Sequence, residues 1–441
     1  MECGDLYVPE DRTQANTGII RLHVIVFKST NSNPQPDPVI HLVGGPGGSL
    51  LDTADTYLER GGDQILKTRD YILFNQRGTR YAEPFLECPG RTEHEWELAG
   101  QGLSLSELNQ RRAKFLLDCQ DELLKQGINL SAYNSRENAA DVEDLRISLG
   151  YEQVNLYGIS YGSRLALTMM RDNPGGIRSV ILDAVLPPQA NLNQEIGLNI
   201  YRSLNAVFDD CAADSACSAA HPNLEGTFYR VVDDLNANPA FLEFLQGPIL
   251  LDGHGFLDAI LRLLYSIDAI PWIPFLIDEA SRGAYPEPSI FAIPDRDSQA
   301  PGMRYSVWCQ EEMTFESLET ALALSNGLPS VFRDTFIDTY DWVVCDSWQA
   351  GAADPIENEA VASDIPTLIF AGRYDPITPP EWARLAAKTL PNHFIYPFSN
   401  AAHGVMRSNP CALEIGLQFL DDPTKEPDSS CVAELPSIVF E

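Results

Sequence analysis

A serine lies at the centre of residues 158–162, Gly-Ile-Ser-Tyr-Gly, which form a G-x-S-x-G pattern. The segment follows strand-forming residues at 153–157 and precedes a helical pattern from Tyr161 to about Asp172. A strand that turns at once into a helix holds its central residue in strained backbone angles, and the flanking glycines let both elements pack closely. Ser160 is thereby raised above the end of the strand, and the helix N-terminus favours negative charge that develops there. The pattern predicts a nucleophilic serine at Ser160.

A serine hydroxyl needs a base, and the base needs a carboxylate that orients it. Among the seven histidines, His403 lies in a small-residue loop after the last strand-like run, where a base at a sheet edge is expected. His23 and His41 fall inside strand-like runs and are interpreted as structural. Asp375 follows another strand-like run and precedes His403, which is the chain order expected of the acid. Asp183 is the alternative acid, less favoured because the texture of the chain changes directly after it.

Tetrahedral chemistry also needs hydrogen-bond donors for an oxyanion. The glycine-rich run Gly-Gly-Pro-Gly-Gly at 44–48 directly follows a strand-like run and offers an unhindered backbone N–H, which we assign to Gly45. The N–H of Tyr161 is predicted to be the second donor. The alternative is a phosphate cradle, but the run lacks the Lys and Ser/Thr of a P-loop, and the charge of the chain disfavours phosphate.

Composition restricts the partners of the chain. Its 441 residues include 30 Lys and Arg against 63 Asp and Glu, a formal net charge of −33. A field of that sign repels phosphate backbones and anionic lipids, so nucleic acid and membrane surfaces are not expected as partners. No run approaches the roughly 20 apolar residues that a membrane-spanning helix needs. With 44% hydrophobic and 21% charged residues, the composition is that of an ordinary globular protein.

Nine cysteines are present, and none forms the C-x-x-C pair of a zinc ribbon or a thioredoxin-like site. Eight of them allow about 105 pairings, of which pairing in chain order is the simplest; the alternative is a set of buried thiols. Disulfides imply an oxidising compartment, so a secreted or periplasmic protein is expected, with the export signal absent from this chain. The predicted pairs are Cys88–Cys119, Cys211–Cys217, Cys309–Cys345 and Cys411–Cys431, with Cys3 left over.

The chain divides into three parts by texture. Residues 1–187 alternate strand-like and helical patterns, which is typical of a mostly parallel sheet with helices on both faces. Residues 188–365 are rich in Leu, Ala and Asp at helical spacing, interrupted by prolines, and predict a helical lid. Strand-like runs return in residues 366–441. We therefore predict an α/β core in two parts, with the lid domain inserted between them.

These segments together resemble the α/β-hydrolase superfamily and, within it, the proline iminopeptidase and tripeptidyl aminopeptidase group of serine exopeptidases. The resemblance implies an α/β-hydrolase fold with a mostly parallel sheet and a large helical lid before the last strands, and no metal or cofactor. The end of the chain, residues 409–432, resembles the C-terminal region of the tripeptidyl aminopeptidase (TAP-like) branch, whose members are usually exported. The matching segments, in family order, are residues 44–48, 75–79 (Asn-Gln-Arg-Gly-Thr), 158–163, 372–376 (Gly-Arg-Tyr-Asp-Pro) and 403–404.

The resemblance also suggests how a substrate is held. In the aminopeptidases that the chain resembles, lid carboxylates bind the free α-amino group, and Glu311 and Glu312 are the candidates here; the alternative is a solvated charge pair. Val43 stands where the family usually has His, and Asn75 where it usually has Asp. Both departures fall near the mouth of the expected site, so the resemblance does not fix the class of substrate.

The sequence thus predicts an exported serine hydrolase, with an aminopeptidase that releases N-terminal residues or short peptides through an acyl-enzyme as the first choice. Ser160 would attack the acyl carbon, His403 would move the proton and Asp375 would orient His403. The alternative is a carboxylesterase acting on small esters, because related sequences include carboxylesterases. A third hypothesis is a binding protein without turnover, against which the intact Ser–Asp–His set speaks. The expected partner is a peptide or small ester.

Overall fold

Ten strands are present in the computed structural model, which describes residues 1–441: β1 Glu2–Pro9, β2 Ile19–Phe27, β3 Val39–Leu42, β4 Tyr71–Phe74, β5 Val154–Ser160, β6 Ile177–Val185, β7 Ala240–Phe244, β8 Gly247–Leu251, β9 Thr367–Gly372 and β10 His393–Phe398. Eight of them form one sheet in the order β1-β2-β4-β3-β5-β6-β9-β10. The six strands from β4 to β10 in that order are parallel, and β1 and β2 join them antiparallel. The remaining two, β7 and β8, form an antiparallel hairpin.

Seventeen α-helices accompany the strands: α1 Ala54–Tyr57, α2 Asp63–Ile65, α3 Arg91–Ala99, α4 Leu105–Lys125, α5 Ser135–Ser148, α6 Tyr161–Asp172, α7 Leu192–Ala213, α8 Ser215–Ala220, α9 Leu224–Ala237, α10 Gly253–Leu264, α11 Ile273–Ser281, α12 Pro301–Glu311, α13 Leu318–Leu324, α14 Ser330–Phe336, α15 Tyr340–Ser347, α16 Pro380–Ala387 and α17 Pro410–Asp421. Helices α7 to α15 and the hairpin all fall between β6 and β9 in the chain. None of the helices combines the length and the apolar character that a membrane crossing requires.

The central strands are buried on both faces because helices cover both sides of the sheet. Leu156 and Leu182 point to one side, where α5, α6 and α16 complete the core. Tyr157 and Ile181, one residue earlier or later in the same strands, point to the other side, where Phe419 of α17 packs. This alternation is the two-residue period of a strand, and it fixes the register of the sheet.

The inserted segment has an apolar core of its own. Phe228, Phe256 and Ile260 lie at its centre, and the same cluster includes Tyr374 and Ala402 from the two loops that follow β9 and β10. The insertion therefore packs directly on residues next to Asp375 and His403.

The predicted fold class is confirmed, and helix Tyr161–Asp172 has the predicted bounds. The insertion is not wholly helical, because it contains the hairpin β7–β8. The division into residues 1–187, 188–365 and 366–441 stays a prediction. The four disulfides pair in chain order as predicted, and Cys3 is free and exposed.

Candidate active site

Ser160 stands at the junction of β5 and α6, with φ 58° and ψ −126°. A non-glycine residue in that region carries a backbone strain of about 1–3 kcal/mol, which the surrounding structure must hold in place. The flanking glycines are required by contact: a Cβ on Gly158 would lie 2.4 Å from the carbonyl oxygen of Gly162, and a Cβ on Gly162 would lie 1.9 Å from that of Leu42. The turn therefore exposes the serine only because both flanking positions lack a side chain.

His403 and Asp375 are hydrogen-bonded, with 2.8 Å between Nδ1 of the ring and Oδ2 of the carboxylate. Asp375 is fully buried and also accepts bonds from the N–H of Ile377 and Thr378 and from the hydroxyl of Thr378. Burial opposes its ionisation, but the charge and hydrogen bond of His403 and the bonds from Thr378 outweigh that effect and lower the pKa of Asp375. The carboxylate is thus ionised and aimed at the imidazole.

The loop that carries His403 is anchored by Asp183. Its two carboxylate oxygens accept the backbone N–H of Val405 at 2.7 Å and of Met406 at 2.9 Å, and the hydroxyl of Tyr157 donates to it at 3.1 Å. Burial raises the pKa of Asp183, although these hydrogen bonds oppose the rise. Asp183, the alternative acid of the sequence analysis, therefore contacts the backbone of the loop, whereas Asp375 contacts the imidazole.

Ser160, Asp375 and His403 follow β5, β9 and β10, which are parallel, so all three lie at the same edge of the sheet. No hydrogen bond joins Ser160 to His403 in this structure; in serine hydrolases such bonds often tighten only when substrate is bound. Tyr265, at the end of α10, meets the imidazole of His403 edge to face, with 5.1 Å between ring centroids. The inserted segment thus supplies one wall beside the histidine.

The glycine-rich loop after β3 packs against the serine. A Cβ on Gly44 would lie 2.8 Å from Cβ and 3.3 Å from Oγ of Ser160. Gly45 has φ +125°, and its N–H donates to no protein acceptor. Tyr161 is the first residue of α6, so its N–H has no acceptor within the helix. Two free N–H groups therefore flank the serine, as an oxyanion would require.

The two departures from the family pattern shape the same loop. The side-chain oxygen of Asn75 accepts the N–H of Leu50 at 3.2 Å and of Leu51 at 3.4 Å. The carbonyl oxygen of Val43 accepts the side-chain N–H of Gln76 at 3.0 Å. Both positions thus hold the backbone around the glycine-rich run.

Glu311 and Glu312 are buried at the end of α12, and each carboxylate already has protein partners. Glu311 accepts the N–H and the hydroxyl of Ser135 at 2.5 and 2.6 Å, and that hydroxyl also contacts the Tyr161 hydroxyl at 2.9 Å. Glu312 forms an ion pair with Arg164 of α6. Neither is a solvated surface charge, and the prediction that they bind an amine stays a prediction.

Sequence reasoning missed a third carboxylate beside them. Oε2 of Glu316 is buried without a hydrogen-bond partner, while its other oxygen accepts the N–H of Asn193 at 3.1 Å. Burial raises the pKa of Glu316 to about 7 and, despite the opposing charge of Arg164, that of Glu312 to about 8; Glu195 adds negative charge next to Glu316. The spacing of four residues from Glu312 to Glu316 is the only signal that the sequence holds.

Comparison with known proteins agrees with the α/β fold. The chain matches a family model described as alpha/beta hydrolase fold over residues 37–251 and one described as TAP-like protein over residues 330–431. It is similar to the serine protease Hip1 of Mycobacterium tuberculosis, with 27% identity over 231 residues, which are 50% of this chain and 42% of that protein. It is also similar to the tripeptidyl aminopeptidase of Streptomyces lividans, with 26% identity over 208 residues, 44% of this chain and 38% of that protein.

The aligned parts thus span less than half the length of either relative. Among solved structures, a proline iminopeptidase from Mycobacterium smegmatis aligns with 96% of this chain and 99% of its own length, at 14% identity and a TM-score of 0.45.

Proposed function

Because the chain belongs to the α/β-hydrolase superfamily, we propose that it is an exported serine aminopeptidase, which releases N-terminal residues or short peptides through an acyl-enzyme. The observation that carries the proposal is the hydrogen-bonded His403–Asp375 pair at the sheet edge where the strained turn presents Ser160. Residues 188–365 act as the lid over that edge in this proposal. The four disulfides support an oxidising compartment and hence export.

In the proposed reaction, Ser160 Oγ attacks the acyl carbon while Nε2 of His403 takes the hydroxyl proton. The ionised Asp375 holds Nδ1–H and stabilises the positive charge that develops on the ring. The N–H groups of Gly45 and Tyr161 bind the oxyanion of the tetrahedral intermediate; one such donor is worth about 10²- to 10³-fold in rate. The C–N bond breaks as His403 returns the proton to the leaving amine. Water, activated in the same way, then releases the acyl group from Ser160.

Glu312 and Glu316 form what we call the acidic end of the site, and this end supports an aminopeptidase over an esterase. Glu312 pairs with Arg164, one turn of α6 beyond Ser160, and burial raises the pKa of Glu312 to about 8 and that of Glu316 to about 7. A substrate ammonium brings a compensating positive charge, which favours their ionised forms. Oε2 of Glu316 is buried without a hydrogen bond, and in this proposal it accepts the ammonium. A neutral ester gains nothing from these groups. Glu311, bound to Ser135, holds the neighbouring backbone in this proposal.

The decisive experiment compares matched substrates. Hydrolysis of Ala-Ala-Phe-, Ala- and Pro-arylamides, of the N-acetylated Ala-Ala-Phe-arylamide and of short-chain p-nitrophenyl esters is measured for the wild type and for Ser160→Ala. The control is Ser32→Ala, an exposed serine in the loop after β2. We expect turnover of arylamides with a free amine, weak turnover of the acetylated one, and loss of activity only in Ser160→Ala. Ester turnover alone would assign the chain to the carboxylesterases instead.

A further inference from the structure

Three arginine side chains near the start of α12 have no acidic partner, although the chain has an excess of acids of 33. None of Arg91, Arg296 and Arg304 forms a salt bridge, whereas most arginines of the chain do. Nη1 of Arg91 and Nε of Arg304 are buried without a hydrogen-bond partner, and Arg91 is only 8% exposed. A buried cation without a partner is costly, so a fold retains such a group where a ligand supplies the partner.

The acids that surround these arginines are already engaged. Glu95 forms a bidentate pair with Arg112, with a shortest distance of 2.6 Å. Asp258 forms an ion pair with Arg262. Asp341 accepts a tyrosine hydroxyl at 2.7 Å. No carboxylate of the protein lies within salt-bridge distance of the three guanidinium groups.

Arg91 also repels Arg296. Asp297 ties the two segments together, because its carboxylate accepts the N–H of Arg91 at 2.9 Å while Arg296 is its chain neighbour. Burial first, and then the charge of Arg91, lower the pKa of Arg296. An anion placed between Arg91 and Arg296 would offset both the cost of burying the Arg296 charge and its repulsion by Arg91.

Helix α12, which carries Arg304, begins beside the active site. Helix α12 begins against the glycine-rich loop: the N–H of Ala300 donates to the carbonyl oxygen of Gly47 at 3.1 Å, and a Cβ on Gly47 would lie 2.8 Å from the oxygen of Ala300. Arg304 is one turn further along. Burial raises the pKa of Tyr265, the residue in contact with His403, and the charge of Arg304 opposes that rise. Arg304 is therefore close to the wall of the site beside the histidine.

Helix α12 separates this positive end from the acidic end. The guanidinium of Arg304 lies 5.5 Å from the ring centroid of Trp308, whose indole N–H donates to Asn193 at 2.8 Å. The N–H of Asn193 in turn binds Glu316. From Arg304 to Glu312 is eight residues, roughly 12 Å along a helix axis, which is about the length of three to four extended residues. The two ends are spaced for a short peptide that carries both charges.

We propose that Arg304, with Arg296 and Arg91 behind it, binds a carboxylate of the substrate on the leaving-group side of the scissile bond. An α-ammonium is repelled by three unpaired guanidinium groups, so it belongs at the acidic end, and the positive end faces the part of the peptide that departs. The inference rests on the proposed function, since it takes the substrate to be a peptide with a free amine. The carboxylate is either the C-terminus of a short peptide or an acidic side chain next to the scissile bond.

Two matched pairs of peptides separate these sources. The first pair is Ala-Ala-Phe-Ala with a free C-terminus and the same peptide as its amide; the second is Ala-Ala-Phe-Glu-amide and Ala-Ala-Phe-Gln-amide. In the pair that contains the recognised carboxylate, we expect the wild type to favour the charged peptide over its neutral partner by about 10- to 100-fold in kcat/KM, as a hydrogen-bonded ion pair provides. This ratio should fall to about one in Arg304→Gln and to an intermediate value in Arg304→Lys. Arg230→Gln, which alters an exposed arginine of α9, should keep the wild-type ratio.

A ratio near one in the wild type for both pairs would overturn the inference, as would a ratio that Arg304→Gln leaves unchanged. Arg296→Gln provides a second variant should Arg304→Gln fold poorly, and it should lower the same ratio. If the wild type cleaves esters but no peptide, the proposed function fails, and the inference is tested by inhibition of ester turnover. Ala-Ala should then inhibit at least 10-fold more tightly than Ala-Ala-amide in the wild type, but equally in Arg304→Gln; equal inhibition of the wild type would overturn it.

Discussion

Replacing Asp183 by Asn should slow turnover without weakening substrate binding, because Asp183 holds the loop of His403 and touches no substrate in the proposed mechanism. The carboxylate accepts the N–H of Val405 with one oxygen and the N–H of Met406 with the other. An amide has the same shape but only one oxygen. In the Asp183→Asn variant, one of the two N–H groups would therefore face the –NH₂ group, a donor facing a donor.

The size of the effect follows from that exchange. A buried N–H left without an acceptor costs about 1–3 kcal/mol, and the remaining bond loses about 1 kcal/mol because its acceptor is no longer charged. The free energy of unfolding should fall by roughly 2–4 kcal/mol in total, unless the loop moves to relieve the clash. Movement of the loop carries His403 with it, and a displacement of about 1 Å at a proton-transferring group costs about 10²-fold in rate.

The assay is steady-state kinetics on the best arylamide or ester, combined with urea unfolding. We expect kcat to fall by about 10²-fold with KM within about twofold of the wild type. The matched control is Asp233→Asn, which changes the same functional group on the exposed face of α9 and should alter neither quantity. A stable variant with full kcat would refute the anchoring role, and a rise in KM that accounts for the whole loss would place Asp183 in contact with substrate instead.

Three further predictions test other parts of the structure. Asp375→Asn should lower kcat by roughly 10³- to 10⁴-fold while KM stays nearly constant, because the amide no longer fixes the ionised partner of the imidazole; a loss below tenfold would exclude Asp375 as the acid. Glu312 and Glu316, whose pKa values are raised from 4.5 to about 8 and about 7, bind protons in the folded state that the unfolded state releases. Their contribution to the free energy of unfolding is therefore full below about pH 4.5 and falls as the pH rises towards 8, by at most about 1.4 kcal/mol per pH unit for each proton. In urea unfolding, the free energy of unfolding should decrease less between pH 5 and pH 8 for Glu316→Gln than for the wild type. Equal decreases would contradict the raised pKa of Glu316. Replacing both Cys309 and Cys345 by Ser removes the disulfide between α12 and α15, which closes a loop with a sequence separation of 36 residues. The free energy of unfolding should fall by up to about 4 kcal/mol relative to the wild type under oxidising conditions. An unchanged value would contradict the disulfide.

The parts of the fold that the sequence predicts are those with a strong local cause. The turn at Ser160 needs glycine at positions 158 and 162, and the contacts of those two positions explain why no other residue fits. Helix Tyr161–Asp172 follows directly on that turn and is buried from Tyr161 to Met170, so its bounds are predicted well. The disulfide pairing is also predicted well, because each of the four bridges joins two cysteines that are consecutive among the cysteines of the chain.

The remaining elements depend on contacts that no local pattern contains. Strand β1 is mostly exposed and gains its structure from pairing with β2, so its sequence lacks the apolar run of the central strands. The hairpin β7–β8 lies within a helical texture and carries Phe241 on an exposed face. The surroundings of Glu311 are a further example, because its hydrogen-bond donors come from Ser135, 176 residues earlier in the chain.

The same division separates the chemistry of the site from its selectivity. The groups proposed to move protons and bind the oxyanion lie at the ends of parallel strands of one sheet, and motifs of a few residues fix each of them. The groups proposed to read the substrate come from α3, from the segment before α12 and from α12 itself, and only packing brings Arg91 to the neighbourhood of Arg304. A family match can therefore establish a hydrolase while leaving open whether an amide or an ester is cleaved. In our proposal, the arrangement of charge along α12, with unpaired cations at one end and protonatable carboxylates at the other, favours a short zwitterionic peptide. Reversing the charge of Arg304 alone, as Arg304→Glu, should then shift preference from peptides with a free C-terminus to their amides.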